Sequence, residues 1–285
     1  FFSSIKREFT YYLYDEKNTK SSLSMLLKIG GGNSEYGRAE GIHWHMNIDN
    51  KIEYIHTDEL RDEIPWVKQT NSNGTQKIFK KRNYKGDFSK LPTENLRTMD
   101  CIDCHNRPSH IYHPSDKSVN LSMSLGKIDE SLPYIKSVAV NALEENYSTK
   151  ESALDSIAFK LTDFYNDNYP SIAVEKKENI SQAIGEIQKI YDRNFFPSMK
   201  VSWRGFPNHI SHLYDSGCFR CHDGEHFTDD GEMIRRDCNL CHTIISQNTS
   251  DGRSLVSMSG IDFVHPENLG TDVKDLICVE CHARK

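Results

Sequence analysis

The sequence predicts an α+β fold with three parts: a small antiparallel β meander, a three-helix spacer and an irregular C-terminal region. Residues 20–85 alternate apolar and polar side chains, the period of strands, whereas residues 135–191 repeat apolar side chains every three or four positions, the period of helices. The remainder, from about residue 195, is rich in Gly, Pro and His and follows neither period. We therefore expect three domains, at residues 1–98, 99–195 and 196–285.

The first strands are predicted from an apolar run and from alternation. Leu23 to Ile29 is a short apolar run that ends at three glycines. Residues 42–48 alternate Ile, Trp, Met and Ile with polar residues, so we expect a half-buried strand that carries its two histidines on one face. Asp49-Asn50 is then expected to form a two-residue turn into the next strand.

A second hairpin signal completes the predicted meander. Asn73-Gly74 lies between the apolar residues around Trp66 and those around Ile78, and this dipeptide favours the tight turns of antiparallel hairpins.

Three stretches of the middle region have helical spacing of their apolar residues, at 135–142, 154–165 and 180–191. Polar breaks near Asn146 and at 166–170 separate them. We expect an α-hairpin and a third helix that form a structural spacer without chemistry of its own.

The composition predicts a small side-chain core. Counted with Gly and without Tyr, the apolar share is about 37%, below the ~45–50% of ordinary soluble domains, yet the chain has 13 Tyr, 13 Phe and 3 Trp. We infer that something other than side chains helps to fill the interior. The net charge of −6 excludes a nucleic-acid partner.

No stretch approaches the ~18 consecutive apolar residues of a membrane helix, so we expect no membrane span in this chain. The first residues show no charged-then-apolar leader, and any signal or anchor is expected upstream of Phe1.

The eight cysteines form four Cys-x-x-Cys pairs, and His follows every pair. We number these motifs 1 to 4: Cys101-Ile102-Asp103-Cys104-His105, Cys218-Phe219-Arg220-Cys221-His222, Cys238-Asn239-Leu240-Cys241-His242 and Cys278-Val279-Glu280-Cys281-His282. The paired cysteines alone would suit zinc ligation or thiol–disulfide chemistry. The added His is instead the signature of c-type haem, in which two thiols bond the macrocycle and the His ligates the iron.

Four motifs predict four covalently attached c-type haems (heme c). Cys101, Cys104, Cys218, Cys221, Cys238, Cys241, Cys278 and Cys281 would form the thioethers, and His105, His222, His242 and His282 would be the proximal ligands. Covalent attachment takes place outside the bacterial cytosol, so we expect a periplasmic, membrane-attached or extracellular protein.

Nine histidines lie outside the motifs, more than the four that would close every haem with a second ligand. The surplus favours electron transfer over catalysis. The candidate distal ligands are His43, His45, His110, His212, His226 and His265. The others, His56, His113 and His209, are predicted to lie at the surface or to contact propionates.

Position along the chain narrows the choice of ligands. His110 and His226 lie too close to their own motifs to reach the opposite haem face, so each is expected to ligate a neighbouring haem. Of His43 and His45, one is expected to ligate and the other to form a hydrogen bond, with His45 favoured. His265 suits the last haem.

Arg107, two residues after motif 1, is expected either to pair with a propionate or to be solvated.

The sequence resembles the larger multihaem members of the NapC/NirT cytochrome c group. The resemblance is carried by Gly41-Ile42-His43-Trp44-His45, by residues 99–110, by Gly217 to His226 and by Asp237 to His242, and it runs from about residue 15 to 245. It implies an electron-transfer cytochrome, in a family that often passes electrons from the quinol pool toward periplasmic or extracellular acceptors. The family's membrane helix and N-terminal haem motifs, where quinol is oxidised, have no counterpart in these residues.

The sequence therefore favours a tetrahaem cytochrome that exchanges electrons with other redox proteins through closely spaced bis-His haems. Two alternatives remain open: self-association into a conductive filament with a distal His from the adjacent subunit, and a multihaem reductase of a small oxyanion with one five-coordinate haem. From residue 195 onward, the fold is expected to depend on haem.

Overall fold

A computed structural model describes residues 4–30, 41–47, 50–107, 109–267, 269–270 and 276–282. Two antiparallel sheets and a helical bundle make up most of this part of the chain, together with a two-stranded ribbon of β7 (Phe195–Phe196) and β8 (Val201–Ser202). The predicted α+β class is confirmed.

The first sheet has the strand order β1-β2-β10-β11 and joins the two ends of the chain. Its strands are β1 (Ser4–Tyr12), β2 (Lys20–Lys28), β10 (His242–Asn248) and β11 (Ser254–Val256). β10 begins at the histidine of motif 3 and pairs antiparallel with β2, with His242 opposite Leu27. We expected haems rather than strands to organise the C-terminal region, and this pairing was not predicted.

Because the run that begins at Leu23 forms β2 of the first sheet, the second sheet contains only part of the predicted meander. Its strand order is β6-β3-β4-β5-β9, with β3 (Asn50–Ile55), β4 (Trp66–Asn71), β5 (Gln76–Lys81), β6 (Leu96–Thr98) and β9 (His226–Phe227). The Asn73-Gly74 hairpin between β4 and β5 is confirmed, and Gly74 has the positive φ of 81° that such a turn favours. The expected turn at Asp49-Asn50 includes residues outside the described part of the chain.

The predicted strand at 42–48 is wrong. Ile42–Met46 is a 3-10 helix that follows Gly41, whose φ is +84°. A Cβ on Gly41 would lie 2.3 Å from the Lys28 carbonyl oxygen, so the chain turns tightly against the end of β2. The amide of Trp44 donates to Gly41 O over 3.0 Å, and this local bond uses groups that a strand would pair with its neighbour.

The helical spacer contains the three predicted helices, α3 (Ile135–Leu143), α4 (Lys150–Asn168) and α6 (Lys177–Asn194). Two further helices, α2 (Ser115–Ser124) and α5 (Pro170–Glu175), pack with them and were not predicted. Ile135, Ile157, Leu161 and Ile187 are fully buried in the core between the helices. Burial of such side chains contributes about 1.5–3 kcal/mol each, so the bundle has a side-chain core of its own.

The hairpin of β1 and β2 is docked on this bundle. Tyr12 belongs to the bundle core, and the Asn18 side chain donates to the carbonyl oxygens of Glu130 and Leu132 over 3.0 and 2.8 Å. In return, Asn18 accepts the amide of Lys136 at the start of α3 over 3.0 Å. The first sheet and the helical spacer are therefore held together by buried polar contacts.

Among the described residues, no helix has the length and apolar character that a bilayer crossing requires.

Candidate functional site

The four cysteine motifs adopt tight local turns. Motif 1 is α1 (Cys101–Cys104), and motif 4 is α7 (Cys278–His282). Motifs 2 and 3 begin in the 3-10 turns Gly217–Arg220 and Cys238–Leu240. All eight cysteines are described and are free thiols, so each remains available for covalent attachment.

Each motif histidine faces one histidine from outside the motifs. The ring centres are 6.4 Å apart for His43 and His105, 5.8 Å for His45 and His222, 6.1 Å for His212 and His242, and 6.2 Å for His265 and His282. Two metal–nitrogen bonds of about 2.0–2.1 Å, plus about 1 Å from each nitrogen to its ring centre, place two axial imidazoles about 6 Å apart. The four pairs therefore have the spacing that one iron between each pair would require.

Hydrogen bonds to backbone carbonyls orient both rings of the second pair, His45 and His222. The Nδ1 atom of His45 lies 2.9 Å from Ile42 O, and the Nδ1 atom of His222 lies 2.6 Å from Arg235 O. A carbonyl partner makes Nδ1 the protonated nitrogen and leaves the lone pair on Nε2, as in metal-bound histidines. The backbone carbonyls therefore hold His45 and His222 in the tautomer that can ligate a metal.

The third pair is buried without such partners. The Nδ1 atoms of His212 and His242 are both shielded from solvent and have no hydrogen-bond partner within the described residues. Unlike the second pair, these two rings therefore have, in the described part of the chain, no backbone carbonyl that fixes their tautomer.

Burial favours the neutral form of four of the eight paired histidines. It lowers the pKa of His45, His222 and His212, and it lowers the pKa of His242 to about 4. A neutral imidazole is the form that binds a metal. The burial of these rings therefore favours ligation at neutral pH.

The thiols of successive motifs lie close enough for their charges to interact. Burial raises the pKa of Cys104, and Cys218 adds to that rise. Burial likewise raises the pKa of Cys218 to about 11, with a contribution from Cys241, and the pKa of Cys278, with a contribution from Cys238. The motifs are therefore neighbours in the order 1, 2, 3, 4.

The structure gives His226 a different environment from the one predicted. This ring is fully buried, with Nδ1 2.8 Å from the Asp223 carboxylate and Nε2 2.7 Å from Ile64 O. Both nitrogens therefore have protein partners, and neither is free for a haem iron. This arrangement argues against the prediction that His226 ligates a neighbouring haem.

His110 also lies apart from the four pairs. Its Nε2 atom is 3.2 Å from Arg193 O, and its ring stacks on Tyr112 with 4.4 Å between the ring centres. Its predicted role as a distal ligand stays a prediction without support from its contacts.

A cavity of about 370 Å³ opens beside His105. Arg61, Arg107 and His209 line it, together with Glu59 and other residues. The buried Nε atom of Arg107 has no hydrogen-bond partner among the described residues. The cavity thus offers cationic donors next to His105 of motif 1.

The structure also describes two histidines that were not candidate ligands. The His56 ring contacts the Asp58 carbonyl, and the His113 amide donates to the Asn194 side chain.

The chain is similar to the cytochrome c-type protein ImcH of Geobacter sulfurreducens, with 41% identity over 285 residues. The alignment covers 99% of this chain and 55% of that protein, so the chain spans about half the length of this relative. No protein-family model and no solved structure matches the chain. The likeness supports a c-type cytochrome with covalently bound haem. The resemblance to the NapC/NirT group stays a prediction.

Proposed function

We propose that this c-type cytochrome carries four bis-His haems and conducts electrons along them. The observation that carries the proposal is the pairing of every motif histidine with one other histidine at a ring separation of 5.8–6.4 Å. We number the haems after their motifs. The axial pairs would be His105 with His43, His222 with His45, His242 with His212, and His282 with His265.

The chain's own residues would close both axial positions of each iron. When bound, haem supplies an iron that gains or loses one electron, and two strong ligands leave that iron no open position for a substrate. Because no iron would keep an open position, the four pairs favour electron transfer over a reductase with a five-coordinate haem. Because the pairs form within one chain, they also argue against a filament that takes a distal ligand from an adjacent subunit.

The 3-10 turn at residues 42–46 would connect haems 1 and 2. His43 and His45 lie on this one turn, but their partners belong to different motifs. From the sequence, one of the two was expected to ligate a haem and the other to form a hydrogen bond. We propose instead that both ligate, so that one short turn sets the spacing of two haems.

The cavity beside His105 would receive the propionate edge of haem 1. Arg61, Arg107 and His209 supply donors for carboxylates there, and charge-assisted bonds of this kind are the stronger ones. This arrangement would make Arg107 a propionate partner rather than a solvated arginine.

Electrons would enter and leave at the two ends of the motif order. The motif histidines at the two ends, His105 and His282, are exposed, whereas His222 and His242 are only partly exposed. Other redox proteins would therefore dock at these ends, in the periplasm or outside the cell.

Haem content and spin state test the proposal. A pyridine haemochrome assay should give four haems per chain, and the oxidised protein should show only low-spin signals in its EPR spectrum. The ring planes of His45 and His222 are 89° apart, whereas those of His212 and His242 are 23° apart. Because the relative orientation of the axial rings sets the splitting of the iron orbitals, we expect one highly anisotropic signal from haem 2 and a rhombic signal from haem 3.

Fewer than four haems, or a high-spin signal in the unmodified protein, would contradict the proposed bis-His ligation. A high-spin signal that integrates to one haem would instead support the reductase alternative.

A further inference from the structure

Arg220, in the middle of motif 2, is a buried cation whose side chain reaches motif 1. Only 5% of the residue is exposed. Its guanidinium donates to Gly217 O over 2.9 Å, to Arg61 O over 3.0 Å and to Asp103 O over 2.8 Å. Because Asp103 lies between the two cysteines of motif 1, this one side chain joins the centres of the two motifs.

The Asp103 carboxylate organises a second set of contacts at the same place. It is buried and accepts hydrogen bonds from the Tyr54 hydroxyl over 2.5 Å, from Arg61 over 2.7 Å and from Arg97 over 3.2 Å. Arg97 also pairs with Asp100 over 3.7 Å. Two arginines of this contact therefore have carboxylate partners, and Arg220 adds a third positive charge that, among the described residues, bonds only to carbonyl oxygens.

Arg61 is held in a strained conformation to take part in this network. Its φ is +60°, in the left-handed region that is unfavourable for residues other than glycine. The Asp58 carboxylate folds the loop by accepting the amides of Asp62 and Glu63 over 3.1 and 2.8 Å. As a result, both the carbonyl oxygen and the guanidinium of Arg61 bond to the network.

The charge of Arg220 lies next to both motifs, because its guanidinium contacts the Asp103 carbonyl of motif 1 and the residue itself lies between Cys218 and Cys221 of motif 2. The hydrogen-bond partners of Arg220 are neutral carbonyls, and no ion pair of Arg220 is found within the described residues. A buried cation without a paired carboxylate stabilises the reduced form of a nearby haem, which carries one positive charge less than the oxidised form.

We propose that Arg220 is a positioning residue that locks motif 2 onto motif 1 and raises the midpoint potentials of haems 1 and 2. This inference rests on the proposed function, since it requires a haem on each of the two motifs. It adds that one side chain influences the midpoint potentials of two of the four haems.

A redox titration of Arg220→Gln, followed by visible absorption and EPR, tests the proposal. This change removes the charge but keeps an amide donor. We expect two of the four midpoint potentials to fall, including that of the highly anisotropic haem 2 signal, and the other two to stay. Arg220→Lys should restore the fallen potentials. Arg253→Gln is the matched control, because this arginine is 58% exposed and paired with Asp251 over 2.8 Å, and it should shift none of the four.

Unchanged potentials in Arg220→Gln with four haems attached would overturn the proposal, as would an equal fall of all four. If Arg220→Gln fails to attach four haems, the midpoint potentials of Arg220→Lys test the proposal instead. Four haems at the parent's potentials would support the role of the charge, and lowered potentials would overturn it. Loss of haem from both variants would show that Arg220 acts only in folding. Failure of the proposed function itself would appear in the unmodified protein, as missing haem or a high-spin signal.

Discussion

Replacing His45 by alanine is expected to convert one haem in four from low-spin to high-spin. His45 is the ring that faces His222, with 5.8 Å between the ring centres, and alanine offers the iron no ligand in its place. A water or an empty position gives a weak ligand field, so haem 2 should become high-spin and bind carbon monoxide when reduced. EPR of the oxidised protein should show a high-spin signal from about one quarter of the iron and should lose the highly anisotropic low-spin signal.

Two matched variants sharpen this test. His43→Ala should also produce one high-spin haem but should leave the highly anisotropic signal in place, because His43 faces His105. His110→Ala removes another predicted distal ligand, whose ring contacts Arg193 O and Tyr112 instead, and all four haems should stay low-spin. Four low-spin haems in His45→Ala, or a high-spin haem in His110→Ala, would refute the proposed ligand assignment.

Replacing Asp116 by asparagine is expected to lower the free energy of unfolding by about 3–5 kcal/mol at pH 7. Lys136 is fully buried and pairs with the Asp116 carboxylate, and its ammonium also donates to Asn120 over 2.8 Å. The hydroxyls of Tyr14 and Tyr214 donate to the same carboxylate over 3.0 and 2.6 Å. The substitution leaves the Lys136 charge buried without a counter-charge, and denaturant unfolding followed by far-UV circular dichroism measures the loss.

The difference in unfolding free energy between the parent and Asp116→Asn should become smaller at low pH. Burial alone would raise the pKa of Asp116, but the Lys136 ammonium and the tyrosine hydroxyls outweigh it and hold this pKa below its usual range. A carboxylate with a lowered pKa in the folded state contributes its full stability above its unfolded pKa of about 3.9 and loses it as the pH falls below that value. The parent and Asp116→Asn should therefore differ fully from pH 5 to 7 and converge below about pH 4.

Asp163→Asn, an exposed change on α4, is the control and should shift the free energy of unfolding by less than about 0.5 kcal/mol. A difference between parent and Asp116→Asn that stays constant down to pH 3 would show that the ion pair is not its cause.

The helices were predictable because their signal is local. Ile135, Ile157, Leu161 and Ile187 recur at helical spacing in the sequence, and the same residues fill the core of the bundle. The Asn73-Gly74 hairpin was predictable for the same reason, since its turn geometry depends on two adjacent residues.

Residues 42–46 show where a local signal fails. Their alternation suits a strand, but Gly41 approaches the Lys28 carbonyl so closely that the chain must turn there. That constraint comes from β2, more than ten residues earlier, and periodicity does not report contacts at such a distance. The pairing of β10 with β2 escaped prediction in the same way, because it joins residues about 215 positions apart.

The sequence alone predicts which groups would bind haem. Two thiols and a histidine must be close in sequence to bond one macrocycle, so their spacing can be recognised without knowledge of the fold. The second ligands that we propose depend on the tertiary structure. Nine histidines were available, and only packing of distant segments places His43, His45, His212 and His265 opposite the motif rings while both nitrogens of His226 are taken by Asp223 and Ile64. The physical reason is that the two faces of a haem are reached from different parts of the chain.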